Sequence, residues 1–330
     1  MSQLTSIEIC AGAGGQALGL EAAGFHHQVL VEIDKDACQT LRLNRPEWTV
    51  LDADVKLFSA KPYEGADLFA GGVPCPPFSV AGKQLGFEDD RDLFPHAIRL
   101  IEECKPKAIM LENVRGLLSQ KFESYRKQIL DALLALGYQA EWKLVYSSDF
   151  GVPQLRPRAI LIGFQEDYMD YFEWPKRKLI TPQSVGETLF EEMKSLGWEE
   201  AENWRKIANT IAPTLVGGSK KHGGGDLGPT RARNAWKELG IDGRSLAENP
   251  PGEGFKGLPK LTVSMAALIQ GFPKDWSFYG SKTSSYRQVG NAFPPPVAET
   301  LGRHIMAALQ KREKKCQRGK VQELNFASTF

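Results

Sequence analysis

Ile7-Glu8-Ile9-Cys10-Ala11-Gly12-Ala13-Gly14-Gly15 reads as a short apolar strand, a glycine turn and the start of a helix over Gly15–Ala23. Glycines at such a turn let the backbone approach a ligand at the helix N-terminus. The same alternation spreads outward from it. Gln28–Ile33 reads as a strand and Lys35–Asn44 as a helix. Asp67–Ala70 and Ala108–Leu111 read as strands, with Leu93–Glu103 helical between them. In Phe122–Leu136 the residues Ile129, Leu133 and Leu136 share one helix face, and Gly137 stops it. Glu141–Tyr146 and Ala159–Phe164 bracket Gly151–Arg158, which reads as a connection between neighbouring strands. Strand–helix alternation of this kind predicts an open α/β sheet.

The alternation stops near Phe164. Residues 165–257 are rich in Gly, Pro, Lys, Arg and Trp, and their periodicity is weak. A small irregular domain is expected there, over 166–257, with the larger domain formed by 1–165 and 258–330. Lys260–Phe272 is compact and apolar, Pro294–Leu309 reads as a helix entered through prolines, and the basic tail from Lys311 is expected to fray.

The net charge of +1 over 330 residues excludes a polycation. Local charge is less even: Arg205–Lys237 holds seven Lys or Arg residues against one acid, Asp226. A basic, glycine-rich stretch suits phosphate contact, although a solvated loop would look the same. The five cysteines (Cys10, Cys38, Cys75, Cys104, Cys316) are odd in number and lack metal-ligand spacing. Reduced thiols and no metal are expected, with Cys38 and Cys104 as packing residues. The apolar runs are too short to span a membrane, and the N-terminus lacks a signal-peptide pattern, so the expected location is cytoplasmic.

Two further stretches carry chemistry. Gly71-Gly72-Val73-Pro74-Cys75-Pro76-Pro77-Phe78-Ser79 sets a thiol on a stiff proline turn, a poor place for core filling and a good one for a presented nucleophile. Ile109-Met110-Leu111-Glu112-Asn113-Val114 ends an apolar strand in a carboxylate. A thiol and a carboxylate able to hydrogen-bond a ring nitrogen form the pair needed to activate a pyrimidine. Glu32 and Asp54 stand near the ends of the second and third strands, where a ribose diol and an exocyclic amine are held in nucleotide-binding folds.

The order Gly12–Gly15, Glu32, Asp54, Pro74-Cys75, Glu112-Asn113-Val114, Gln154-x-Arg156-x-Arg158 and Gln288-Val289-Gly290-Asn291 resembles the cytosine-C5 DNA methyltransferase family of bacterial restriction–modification type. The resemblance covers residues 5–165 and 258–310. It implies a Rossmann-like S-adenosylmethionine-dependent methyltransferase domain with a mixed, mostly parallel sheet, and a target-recognition domain in the intervening gap. It also implies that Cys75 adds to cytosine C6, that Glu112 serves N3, and that Arg158 lies near O2 and the thiol. Arg156 is placed beside it in the catalytic set, and Asn113 fixes backbone. The cofactor S-adenosyl-L-methionine would be held by Cys10, Ala11, Gly12, Gly14, Gly15, Glu32, Ile33, Asp54, Pro74 and Asn291. DNA contacts fall to Ser79, Gln84, Gln154, Lys220, Lys221, His222, Arg231 and Arg233. The loop after Cys75 would close over the duplex, with Gly82 and Gly86 as hinge.

Implied partners are double-stranded DNA, entered by a monomer that rotates the target cytosine out of the stack, and a cognate restriction endonuclease acting separately; a free-standing methylase fits equally. Two departures from the family pattern stand out: Cys10 replaces a usual phenylalanine, and Ser264-Met265 replaces a usual Arg-Glu. Rival readings are a tRNA cytosine-5 methyltransferase of the same family and a catalytically silent DNA-binding homologue. The intact Cys75, Glu112 and Arg158 speak against the latter.

Overall fold

The computed structural model describes residues 3–74, 92–177, 180–218 and 225–327, with Glu166 and residues 316–327 described by backbone alone. Its first half is built of β1 (Thr5–Ile9), α1 (Gly15–Ala23), β2 (His26–Glu32), α2 (Lys35–Asn44), β3 (Val50–Asp52), β4 (Leu68–Gly72), α3 (Phe94–Cys104), β5 (Ala108–Val114), α4 (Glu123–Ala135), β6 (Tyr138–Tyr146) and β7 (Pro157–Gln165). Helices follow: α5 (Val185–Lys194), α6 (Ala201–Ile207), α7 (Thr230–Glu238), α8 (Val263–Gln270), α9 (Lys282–Asn291) and α10 (Pro295–Ala327).

The seven strands form one sheet in the order β3-β2-β1-β4-β5-β7-β6. Strands β1 to β5 pair in parallel, and β7 runs antiparallel to both β5 and β6. The expected mixed, mostly parallel sheet is therefore present. Strand order reverses between β1 and β4, the point at which an open α/β sheet carries its crevice, at the carboxyl edge of the strands.

Side chains alternate across the sheet. Ile7, Ile9, Phe69, Ile109, Leu111 and Leu161 pack with α3 and α4. Leu68, Ala70, Met110, Ile160 and Ile162 pack on the other face with α1 and α10. A third buried cluster joins α2 to helices α5 to α9, so α5, α6 and α7 share a core with the sheet-flanking helices.

Most boundaries differ from the sequence expectation by a few residues; two differences have physical causes. The tail from Lys311 is helical to Ala327 rather than frayed. Lys, Arg, Glu and Gln are good helix formers, and Glu313 anchors this turn by pairing with Lys107 at 2.8 Å. In α8 the departure Ser264-Met265 is absorbed locally: Thr262 caps the helix through Met265 N, and the Met265 side chain is fully buried. Cys38 and Cys104 are buried packing residues, as expected.

Candidate active site

The carboxyl ends of β1 to β5 converge on a cavity of about 660 Å³. Its wall brings together Cys10, Ala11, Gly12, Glu32, Ile33, Asp54, Pro74, Glu112, Arg158 and Asn291. These residues are spread over 281 positions of sequence, and the parallel strand ends gather them. Cys75 follows Pro74 directly but lies outside the described residues, as do Ser79, Gln84, Lys220, Lys221 and His222.

Register explains the catalytic pair. Gly72 on β4 stands opposite Glu112 on β5, so the chain leaving β4 toward Cys75 starts beside that carboxylate. On the other flank Glu112 opposes Ile160 and Val114 opposes Arg158. Alternation by two then puts Glu112 and Arg158 on the same face, and Arg158 Nε lies 2.6 Å from Glu112 Oε1. Both side chains are about one-eighth exposed, at 12%. Asn113 holds backbone: its Nδ2 donates to the Val73 carbonyl at 2.8 Å, and its Oδ1 accepts from Val114 N at 2.8 Å. That link fixes the approach to Pro74-Cys75.

The opposite end of the cavity is acidic. Glu32 accepts three backbone amides, Gly12 N at 2.7 Å on Oε2, and Ile33 N and Asp34 N at 2.8 and 2.7 Å on Oε1. Burial lifts its proton affinity above that of an ordinary carboxyl, while the amides pull it back. Glu8 has no such help. It projects from β1 among apolar residues, is 1% exposed, and its Oε2 has no hydrogen-bond partner. Burial first, and the Glu32 charge second, push Glu8 well above the usual carboxylate range. Its side chain lies in the cavity wall. Cys10 is pushed upward as well, by burial and by the acids Glu32, Glu8 and Asp54, so it stays a thiol and is no rival nucleophile.

Sequence reasoning missed Glu8, Gln16 and Arg287 in this wall. The signal for Glu8 was present, an acid interrupting the apolar run Ile7–Ile9. Arg287 was hidden in a polar helix; its Nη2 lies 3.5 Å from Asp34 Oδ2.

Four expected site residues are placed elsewhere. Arg156 is fully buried and donates to the carbonyls of Leu215, Gly290 and Ala292 at 3.1, 3.0 and 2.7 Å. It is a structural clamp, turned from the cavity by a backbone with φ of +24°. Gln154, expected on DNA, is also fully buried, bonded to Leu215 N and Gln270. Gly14 and Gly15 do not line the cavity. A Cβ at Gly14 would strike Leu41, and one at Gly15 would lie 2.2 Å from the Phe293 carbonyl oxygen, so both serve close packing. The Gly15–Phe293 approach is what brings Asn291 to the cavity rim. Arg231 is exposed on α7, and Arg233 lies on the same helix, away from this cavity.

A model of the C-5 cytosine-specific DNA methylase family matches residues 4–307. The Type II methyltransferase M.NgoMIV of Neisseria gonorrhoeae is 55% identical over 316 residues, covering 94% of this chain and 99% of that protein. M.NaeI of Lentzea aerocolonigenes, also named a Type II methyltransferase, is 56% identical over 315 residues, covering 94% of this chain and 76% of its own. Among solved structures, a DNMT2 variant from Spodoptera frugiperda superposes with a TM-score of 0.66 at 18% identity, over 92% of this chain and 99% of that one.

Proposed function

The chain belongs to the C-5 cytosine-specific DNA methylases, and from that membership we propose that it methylates C5 of a flipped-out cytosine within a specific duplex sequence, using S-adenosylmethionine and a nucleophilic Cys75, as the modification enzyme of a Type II restriction–modification pair. The paired Glu112 and Arg158 beside the strand end that leads to Cys75 carry this reading. The organisation into a catalytic part (1–165, 258–330) and a recognition part (166–257) belongs to the same proposal. So do a monomeric active unit and a cytoplasmic location; among the described residues no helix is long and apolar enough to cross a membrane.

The cavity suits the cofactor. The Glu32 carboxylate retains acceptor capacity beyond its three amides and would hold the ribose hydroxyls. Ile33, 63% exposed at the rim, would meet the adenine, and Asp54 would accept from its amine. Glu8, whose Oε2 has no hydrogen-bond partner, and the Ala11–Gly12 backbone would offer polar groups to the methionine part. When bound, S-adenosylmethionine supplies an electrophilic methyl group on a sulfonium sulfur.

The protein's own part begins with cytosine C6. The Cys75 thiolate forms a bond to C6 while Glu112 shares a proton with N3, which draws electrons from the ring. Arg158 neutralises Glu112 and stabilises charge near the base carbonyl. The enamine so formed is nucleophilic at C5, which takes up the methyl group. Loss of the C5 proton to a base then expels Cys75 and restores aromaticity. Rotating the base out of the duplex costs a few kcal/mol, offset by contacts to DNA.

A duplex carrying 5-fluorocytosine cannot lose its C5 substituent as a proton, so the wild-type protein should form a denaturation-stable adduct and Cys75→Ala none. Glu112→Gln should slow turnover by about a hundredfold or more. Methyl label should enter plasmid DNA and not tRNA. An adduct with Cys75→Ala, or label confined to tRNA, overturns the proposal.

A further inference from the structure

A second concavity, of about 710 Å³, lies between α7 and the stretch 241–258. From α7 it is lined by residues 230, 233, 234 and 237, the spacing of one helix face. The helix's other face is anchored by Trp236, which is fully buried. Four cations line the groove: Arg233, Lys237, Arg244 and Lys256. Its one acid, Asp242, is consumed internally, since both carboxylate oxygens accept from the Arg244 guanidinium at 2.9 and 3.0 Å. Among the described residues, Arg233, Lys237 and Lys256 have no carboxylate partner.

The groove is built in advance rather than left to loop chance. Leu227 N donates to the Gly243 carbonyl at 3.0 Å and Asp242 N to the Pro259 carbonyl at 2.8 Å, tying its floor to both flanks. Gly243 has no side chain where the Arg233 stem crosses it; an added Cβ would lie 3.3 Å from Arg233 Cγ. The groove is also close to the cavity. Gly228 packs between Ala232 of α7 and Val216, and the next residue, Gly217, packs against Asn291 and the Arg287 carbonyl. Asn291 and Arg287 line the rim of the methyl-transfer cavity. A short run of packed residues therefore links α7 to the cavity rim.

We propose that this groove grips the sugar–phosphate backbone of the duplex beside the target cytosine, with Arg233, Lys237 and Lys256 neutralising phosphates. It is too small for a duplex and of the size that takes a ligand or a short run of one strand. Lysine offers a compact point charge suited to phosphate and poor at base-edge geometry. The assignment rests on the reading of this chain as a duplex-DNA enzyme, and goes beyond it by placing an anchor that holds DNA without reading sequence.

The test is the salt dependence of binding to cognate and scrambled duplexes, for wild type and for Lys237→Gln/Lys256→Gln. Each phosphate contact contributes about 0.9 to the slope of log affinity against log salt. The double variant should lower the slope by about 1.8, weaken both duplexes by the same factor and raise KM for DNA in parallel. Affinity for S-adenosylhomocysteine should stay unchanged, which reports an intact fold. An unmoved slope and KM overturn the groove. A collapse of cognate-over-scrambled preference at constant slope also overturns it, in favour of base-edge reading. If the wild type forms no 5-fluorocytosine adduct while the slope still falls, the enzymatic reading fails and the groove stands.

Discussion

Glu8 and Glu32 point into one cavity from adjacent strands, yet their surroundings differ. Glu32 accepts three amides, whereas Glu8 Oε2 accepts none. The difference has a consequence for stability. Glu8 keeps its proton in the fold well above the pH at which it would lose it in the unfolded chain. Above that lower pH the native state binds more protons than the unfolded state, so this residue makes stability fall as pH rises toward its folded value. Glu8→Gln preserves shape and removes the ionisation. Its urea midpoint should be flatter than wild type from mildly acidic to alkaline pH, and higher at the alkaline end. A parallel pH profile for the two proteins would show that Glu8 is ionised in the fold.

At the scale of elements, the site depends on how closely two helices approach. A Cβ on Gly19 of α1 would lie 2.3 Å from the Pro295 carbonyl oxygen and 2.6 Å from Ala298 Cβ of α10. Gly302 of α10 returns the contact, close to Ala23 and Leu20. The approach sets where α10 begins, and hence where Asn291–Phe293 meets the first turn. Gly19→Ala should destabilise by about 1–3 kcal/mol through overpacking, read as a lower denaturation midpoint. It should also weaken S-adenosylhomocysteine binding, because the Asn291 rim shifts with α10. Unchanged stability would mean that the helices can separate without loss. The sequence announced the first helix by the glycine turn before it and the last by its entry prolines, but nothing local announced their crossing point.

Across the whole molecule, Gln154 and Arg156 form the seam between the sheet and residues 212–217. Backbone bonds run Leu155 N to Ala212 O and Ala212 N to Pro153 O, with Gln154 and Arg156 side chains closing on Leu215. Arg156→Met takes a donor from three buried carbonyls, of which that of Ala292 keeps the Gln270 amide, and should cost about 2–4 kcal/mol. Arg156→Lys should rescue little, since one ammonium cannot reproduce the planar fork. Urea unfolding measures both. Lost turnover at unchanged stability would return Arg156 to the reaction itself.

By itself the sequence disclosed the strand–helix order of the first half and the candidate reacting groups, but not the helices α5 to α7 inside the stretch it marks as irregular. Strand and helix periods are local properties, and Pro74-Cys75 and Glu112-Asn113-Val114 announce their chemistry within a few residues. Only the tertiary structure decided which members of a motif face the cavity. In Gln154-x-Arg156-x-Arg158 the third side chain reaches Glu112 and the first two are buried. The carbonyls that capture Arg156 lie 59, 134 and 136 positions away. A charged side chain goes where its hydrogen bonds can be satisfied, and here those partners exist only after distant segments have packed.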